Sequence, residues 1–179
     1  MRLLLGVTGG IAIYKACELC SLAIKRGAEV RVLMTDNAQR FITPLTFEGL
    51  TGNPVIESTF DDAMGHIDLA KWCDIGCIAP LTANTMAKLA VGICDDMLTT
   101  TFSAINVSKR ILLCPAMNTQ MWNNPATQRN IRWLKELNRY DFCDPIAKRL
   151  ACGDFGIGAL AEVETIITTL ENLIQTEIA

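Results

Sequence analysis

Histidine is almost missing from this chain: His66 is the only one in 179 residues. A single imidazole cannot build a clustered nitrogen site. The C-x-x-C of Cys17 and Cys20 lies inside a helical pattern with no second ligand pair, so no zinc centre is expected. Charge of one sign is also scarce. The formal net charge is -3 and Lys and Arg never run beyond a pair, which argues against a nucleic-acid-binding or membrane-surface protein. Long apolar runs are absent. The amino terminus, Met1 to Gly10, carries about five apolar residues against the roughly 7 to 15 of a signal-peptide core, and no run approaches the roughly 20 of a membrane span. No low-complexity or Pro/Ser-rich linker divides the chain. The eight cysteines are therefore expected as reduced thiols of a cytoplasmic protein rather than as disulfides.

What is present is core-forming sequence. Half of the residues are hydrophobic and 20% are charged, and a chain of 179 residues suits one domain over residues 1–179. Short apolar runs at Arg2 to Val7, Glu29 to Met34, Asp74 to Ala79 and Ile111 to Cys114 have the length of strands buried on both faces, with a last strand near Tyr140 to Cys143. Helical patterns separate them, and residues 2–34 form a βαβ unit. The expected fold is a doubly wound, Rossmann-like or flavodoxin-like α/β sheet with helices on both faces. Pro115 is expected to end the fourth strand. The stretch from Thr43 to Thr59, with Gly49, Gly52 and Pro54 as breakers, reads as irregular helix and loop whose elements are not placed. Residues 145–160, with three glycines following Cys152, read as a long loop of the kind that forms a mobile flap. Val163 to Ile178 is an amphipathic helix.

Candidate site residues gather at strand ends, where ligands of open α/β sheets collect. Gly9 and Gly10 turn the first strand into a helix and suit a phosphate, or they are a plain turn without the full G-x-G-x-x-G spacing. Thr35 and Asn37 either contact a phosphate or ribityl chain or cap a short helix. Thr82, Asn84 and Thr85 repeat the strand-end placement. Asp95 and Asp96 read as a helix cap. Asn118, after Pro115-Ala116-Met117, has an amide able to donate to a carboxylate and accept from a ligand, or it caps a helix. His66, near the start of a short helix, is suited to moving protons near neutrality, or is a packed or capping imidazole.

Five motifs occur in order: Gly6-Val-Thr-Gly-Gly-Ile-Ala12, His66-Ile-Asp-Leu-Ala-Lys-Trp72, Ala79-Pro-Leu-Thr-Ala-Asn-Thr85, Pro115-Ala-Met-Asn118 and Leu150-Ala-Cys-Gly-Asp154. Together, over nearly the whole chain, they resemble the homo-oligomeric flavin-containing cysteine decarboxylases. The similarity is greatest to the branch that acts on phosphopantothenoylcysteine. That resemblance implies FMN as cofactor and a net non-redox decarboxylation to phosphopantetheine and carbon dioxide in coenzyme A synthesis. It implies oxidation of the cysteine moiety to a thioaldehyde, loss of the carboxylate, and return of the electrons. By the same resemblance the active-site histidine is His66, the carboxylate anchor Asn118 and the proton donor Cys152. The cofactor contacts are Gly9, Gly10, Ile11, Thr35, Asn37, Thr82, Ala83, Asn84, Thr85 and Ala116, and the flap contacts to substrate are Arg149 and Ala151. It further implies homotrimers, some joined into dodecamers, with FMN between subunits. A chain ending at Ala179 resembles the stand-alone members rather than those fused to a synthetase, and Ala159-Leu160 departs from the Arg-Met of many bacterial flaps. Alternatives are a peptidyl-cysteine decarboxylase, which stops at the enethiol, a flavin prenyltransferase, or a non-catalytic flavin-fold regulatory subunit.

Overall fold

The computed structural model describes residues 1–56, 64–151 and 153–178. Strand β1 (Arg2–Val7) leads through a 3-10 turn (Ile11–Ile13) into α1 (Tyr14–Lys25), and β2 (Glu29–Met34) pairs parallel to β1. Two short helices follow, α2 (Asp36–Gln39) and α3 (Pro44–Thr51), then α4 (Gly65–Trp72) and β3 (Ile75–Leu81). Helices α5 (Ala83–Val91) and α6 (Met97–Ala104) precede β4 (Ile111–Pro115), and α7 (Thr119–Asn123) and α8 (Pro125–Glu136) precede β5 (Tyr140–Phe142). Strands β6 (Ile146–Arg149) and β7 (Phe155–Ala159) form a separate antiparallel pair before α9 (Val163–Ile178).

The main sheet has five strands in the order β2-β1-β3-β4-β5, all parallel. Alternation along each strand sends side chains to two cores. Leu3, Leu5 and Val7 of β1, Cys77 of β3 and Cys114 of β4 face α1 and α9, whereas Leu4, Ile78 and Leu113 face the side of α4, α5, α6 and α8. Burial on both faces explains the unbroken apolar strands. Phe102 of α6 lies fully buried over the second face, where Gly6 of β1 and Gly76 of β3 make room for its ring. A Cβ at either glycine would lie 3.0 Å from it. No helix among the described residues is long and apolar enough to cross a membrane.

Several local expectations are revised. Within the stretch read as irregular helix and loop, residues 44–51 form a helix: Pro44 sits at the first helical position, Gly49 lies inside it instead of breaking it, and Gly52, at φ 68°, closes the end. Pro115 belongs to β4 and pairs with Leu81, because the amide of Ala116 supplies the bond to the Leu81 carbonyl at 3.0 Å that proline cannot. The expected loop at 145–160 is a hairpin, with Ile146 opposite Ala159 and Arg149 opposite Phe155. Gly156 and Gly158 of β7 face the Met117 to Thr119 loop and hide the two-residue period of a strand.

Replacing Phe102 with Ala leaves a cavity over two glycines that have no side chains with which to fill it. We expect a loss of about 3–5 kcal/mol, read as a lower urea midpoint at unchanged slope.

Candidate active site

The strand order reverses between β1 and β3, and a ligand of an open α/β sheet sits beyond the carboxyl ends of the strands at such a point. A cavity of about 680 Å³ opens there, walled by residues 9–12, Lys15, Thr82, Ala83, Ala116 to Asn118, and the hairpin segments Lys148 to Ala151 and Gly158 to Leu160. Thr8, buried at the end of β1, fixes the floor. Its hydroxyl donates to the Pro80 carbonyl at 2.7 Å and accepts from the Thr82 amide at 3.0 Å. Gly9 is required by close approach, since a Cβ there would lie 2.7 Å from the backbone of Asn37. Among the described residues, no side chain caps the amino ends of the 3-10 turn or α1. Amides at such an end are natural donors to a phosphate.

The opposite wall is held by backbone and charge. The Met117 amide donates to the Gly158 carbonyl at 2.9 Å, and a Cβ at Gly158 would run into the Met117 carbonyl, so only glycine lets β7 lie this close. Lys15, its side chain 10% exposed, meets Glu162 at 3.1 Å, and Glu162 also meets Lys148 of β6 at 3.5 Å. The hydrogen bond from Lys15, then its charge, holds the Glu162 carboxyl below the usual carboxylate range. One carboxylate thus ties the hairpin to α1.

Gly9, Gly10, Ile11, Thr82, Ala83, Ala116, Asn118, Arg149 and Ala151 all line this cavity. Thr35, Asn37, Asn84, Thr85 and His66 are not among its lining residues. Thr35 caps α2, accepting from the Ala38 amide at 3.3 Å, and Asn37 is exposed with its backbone against Gly9. Thr82 caps α5 by accepting from the Thr85 amide at 3.4 Å; Thr85 is buried, and Asn84 is exposed in the first turn. Asn118 caps α7, its Oδ1 accepting from the Gln120 amide at 2.7 Å. A capping oxygen and a donating nitrogen are compatible in one amide. His66 lies in the first turn of α4, partly buried, and its Nδ1 is buried with no hydrogen-bond partner among the described residues. Cys152, between Ala151 and Gly153 in the sequence, lies outside the described residues.

Sequence reading did not pick out Thr8, Lys15 or Glu162 as site residues. Lys15 follows Ile11 by four residues as the glycine turn passes into α1, a spacing that would have placed it on the same face. Glu162 carries no local signal, because its partner Lys15 is 147 residues away.

The cavity has the volume of a mononucleotide site, its uncapped helix end suits a phosphate, and Ile11, Ala116, Met117 and Leu160 suit the face of a flat ring. Fold and site define an α/β protein that binds a nucleotide-like cofactor, and these residues fit a flavin. The chain belongs to the Flavoprotein family, whose profile matches residues 1–175. It is 46% identical over 174 residues to the coenzyme A biosynthesis bifunctional protein CoaBC of Bacillus subtilis, covering 95% of this chain and 42% of that protein. The chain therefore spans less than half the length of such bifunctional relatives. It is 44% identical to a probable phosphopantothenoylcysteine decarboxylase of Streptococcus mutans, over 95% of this chain and 97% of that one. Among solved structures it resembles a PPC decarboxylase mutant complexed with pantothenoylaminoethenethiol, at a TM-score of 0.86 and 37% identity over 96% of each chain. It also resembles the FMN binding protein AtHal3, at a TM-score of 0.84 and 37% identity over 98% of this chain and 97% of that one.

A group whose folded pKa is depressed contributes stability above its unfolded value and loses that contribution as pH falls through the depressed value. Hydrogen exchange of the hairpin amides should therefore show constant protection from about pH 8 to pH 5 and a decline below about pH 4. Glu162 is 55% exposed, so screening limits the effect of Glu162→Gln to about fivefold faster hairpin exchange near neutrality, with the acid-dependent decline abolished.

Proposed function

We propose that this chain is an FMN-dependent phosphopantothenoylcysteine decarboxylase of coenzyme A synthesis, acting in the cytoplasm. The observation that carries the reading is the meeting, in one switch-point cavity, of the Gly9-Gly10 turn, the Pro115-Ala-Met-Asn118 loop and the Arg149 to Ala151 hairpin tip. The likeness to a relative of matching length named for this activity supports it.

Gly9, Gly10 and Ile11, with Thr82, Ala83 and Ala116, hold the cofactor. When bound, FMN supplies a reversible two-electron exchange with the cysteine moiety of the substrate, which makes loss of the neighbouring carboxylate easy. Asn118 holds that carboxylate by donating from its amide nitrogen, a neutral contact that does not resist departure of carbon dioxide as a cation would. Lys148 and Arg149, exposed on β6, give the hairpin side of the cavity positive charge for the phosphate end of the substrate. His66 moves the proton of the oxidative step, and Cys152 delivers a proton to the substrate carbon in the reductive one. The chain acts as a homo-oligomer, trimer or dodecamer. The cavity rim carries the exposed apolar residues Ile11, Tyr14 and Met121, which a neighbouring subunit would cover. His66, absent from this chain's cavity lining, then serves a cavity completed across that interface.

The test is to purify the chain, record its visible spectrum, and follow phosphopantothenoylcysteine by mass spectrometry. A yellow protein that yields saturated phosphopantetheine supports the reading. A yellow protein that releases only the unsaturated enethiol product favours peptidyl-cysteine chemistry, and a colourless inert one a regulatory role. Cys152→Ser should keep its flavin and release carbon dioxide but stop at the unsaturated product; a normal phosphopantetheine yield would remove Cys152 from its role. Asn118→Asp should lose substrate binding by like-charge repulsion, seen as a KM raised about tenfold or more.

A further inference from the structure

The hairpin meets the Met117 to Thr119 loop at two glycines of β7, and the two contacts are built differently. At Gly158 the join is a hydrogen bond, from the Met117 amide to the Gly158 carbonyl at 2.9 Å. At Gly156 it is packing. Thr119, the first residue of α7, lays its side chain on Gly156, where an added Cβ would run into the Thr119 Oγ1 and come within 3.2 Å of its methyl carbon. That Oγ1 is buried and has no hydrogen-bond partner among the described residues. Native structures keep few such groups. A hydroxyl shut away from water without a partner costs free energy, and an apolar group of the same shape in its place can be neutral or stabilising. An oxygen at this position therefore makes the seated hairpin less stable than a carbon would.

We infer that Thr119 is a positioning residue for the reaction, acting through the hairpin: its unpaired hydroxyl weakens the seat of β7 on α7, so that the hairpin swings about the Met117–Gly158 bond in each turnover. The inference rests on the reading of the cavity as the decarboxylase site, in which Arg149 and Ala151 of the hairpin hold substrate and product leaves as the hairpin lifts. Both residues line the cavity. Gly156 lies two residues from Gly158, about 7 Å along an antiparallel strand. A swing of about 25° about Gly158 lifts Gly156 by about 3 Å, the width of a water molecule, and ends the burial of the hydroxyl. Solvation of that hydroxyl then offsets part of the packing lost, which keeps the two positions of the hairpin close in free energy.

Thr119→Val keeps the shape of the side chain and removes the hydroxyl. In the flavin-loaded protein, hydrogen exchange of the β6 and β7 amides, read by mass spectrometry without an assay of turnover, should slow by about fivefold or more. The steady-state kcat should fall by about threefold or more, while carbon dioxide release in a single turnover keeps the wild-type rate. Thr119→Ser and Thr119→Ala lack the same methyl and differ by the hydroxyl, so they repeat the comparison if Thr119→Val does not fold with its flavin; Thr119→Ala should exchange the more slowly of the two. Equal or faster hairpin exchange without the hydroxyl overturns the inference. Slower exchange with an unchanged kcat overturns its part in turnover. A wild-type protein that binds flavin and converts no phosphopantothenoylcysteine sinks the functional reading instead, and the exchange result then still decides the seat at Thr119.

Discussion

The hydroxyl of Thr8 joins the two strands between which the sheet changes direction. It donates to the Pro80 carbonyl and accepts from the Thr82 amide, so the end of β1 is tied to the end of β3 by one buried group. Parallel strands diverge beyond their last ladder bond, and the crevice this leaves is the reason ligands collect there. Here the divergence is limited on its floor by Thr8 and on its far wall by the bond from Met117 to Gly158. A buried polar group with both roles satisfied adds rigidity without the cost of an unpaired hydroxyl. The glycine turn and the Thr82 cap therefore face each other across a gap of defined width. Both halves of the cofactor cradle inherit their spacing from this contact.

Charge is placed sparingly around that gap. Lys15 is the one buried lysine among the described residues, and Glu162 balances it. Two cations on one carboxylate leave the cavity wall net positive, as an anionic ligand requires. Asp96 shows how differently the protein treats a carboxylate that only builds structure. It accepts from the Thr99 amide at 2.8 Å in a capping box at the start of α6 and pairs with Lys88 at 2.9 Å, away from the cavity.

Much of this arrangement was legible in the chain because the main sheet is buried on both faces. Runs such as Arg2–Val7 and Glu29–Met34 have no competing periodicity, and their bounds match those expected. Residues at strand ends were found for the same reason, since Ala116 and Asn118 follow the end of a buried run. The misreadings came from glycine and proline. Gly49 lies within α3 and Gly52 closes it, Pro115 stays in β4, and Gly156 and Gly158 interrupt the pattern of β7, because in each case backbone geometry and not side-chain burial sets the residue. Thr35 and Thr82 show the other limit. A capping residue and a ligand-binding residue look alike in sequence, and both of these cap helices while only Thr82 also reaches the cavity. Lys15 with Glu162, and Lys109 with the end of α4, depend on tertiary distance and leave no local trace.

The hairpin pairs with no strand of the main sheet. Its base is fixed, with Leu160 and Ala161 buried in the first core and Gly158 against Met117, while Ala151, Gly153 and Asp154 near its tip are exposed. Extra residues inserted at such a tip cost little, since each doubling of loop length adds only about 0.6 kcal/mol of closure entropy. A longer tip would reach farther across the opening without disturbing a strand or a glycine at the base. The fold thus separates what must stay constant, the seat of the cofactor, from a part whose length can drift to suit larger or smaller molecules, and the same chemistry can be offered to new substrates by lengthening one turn.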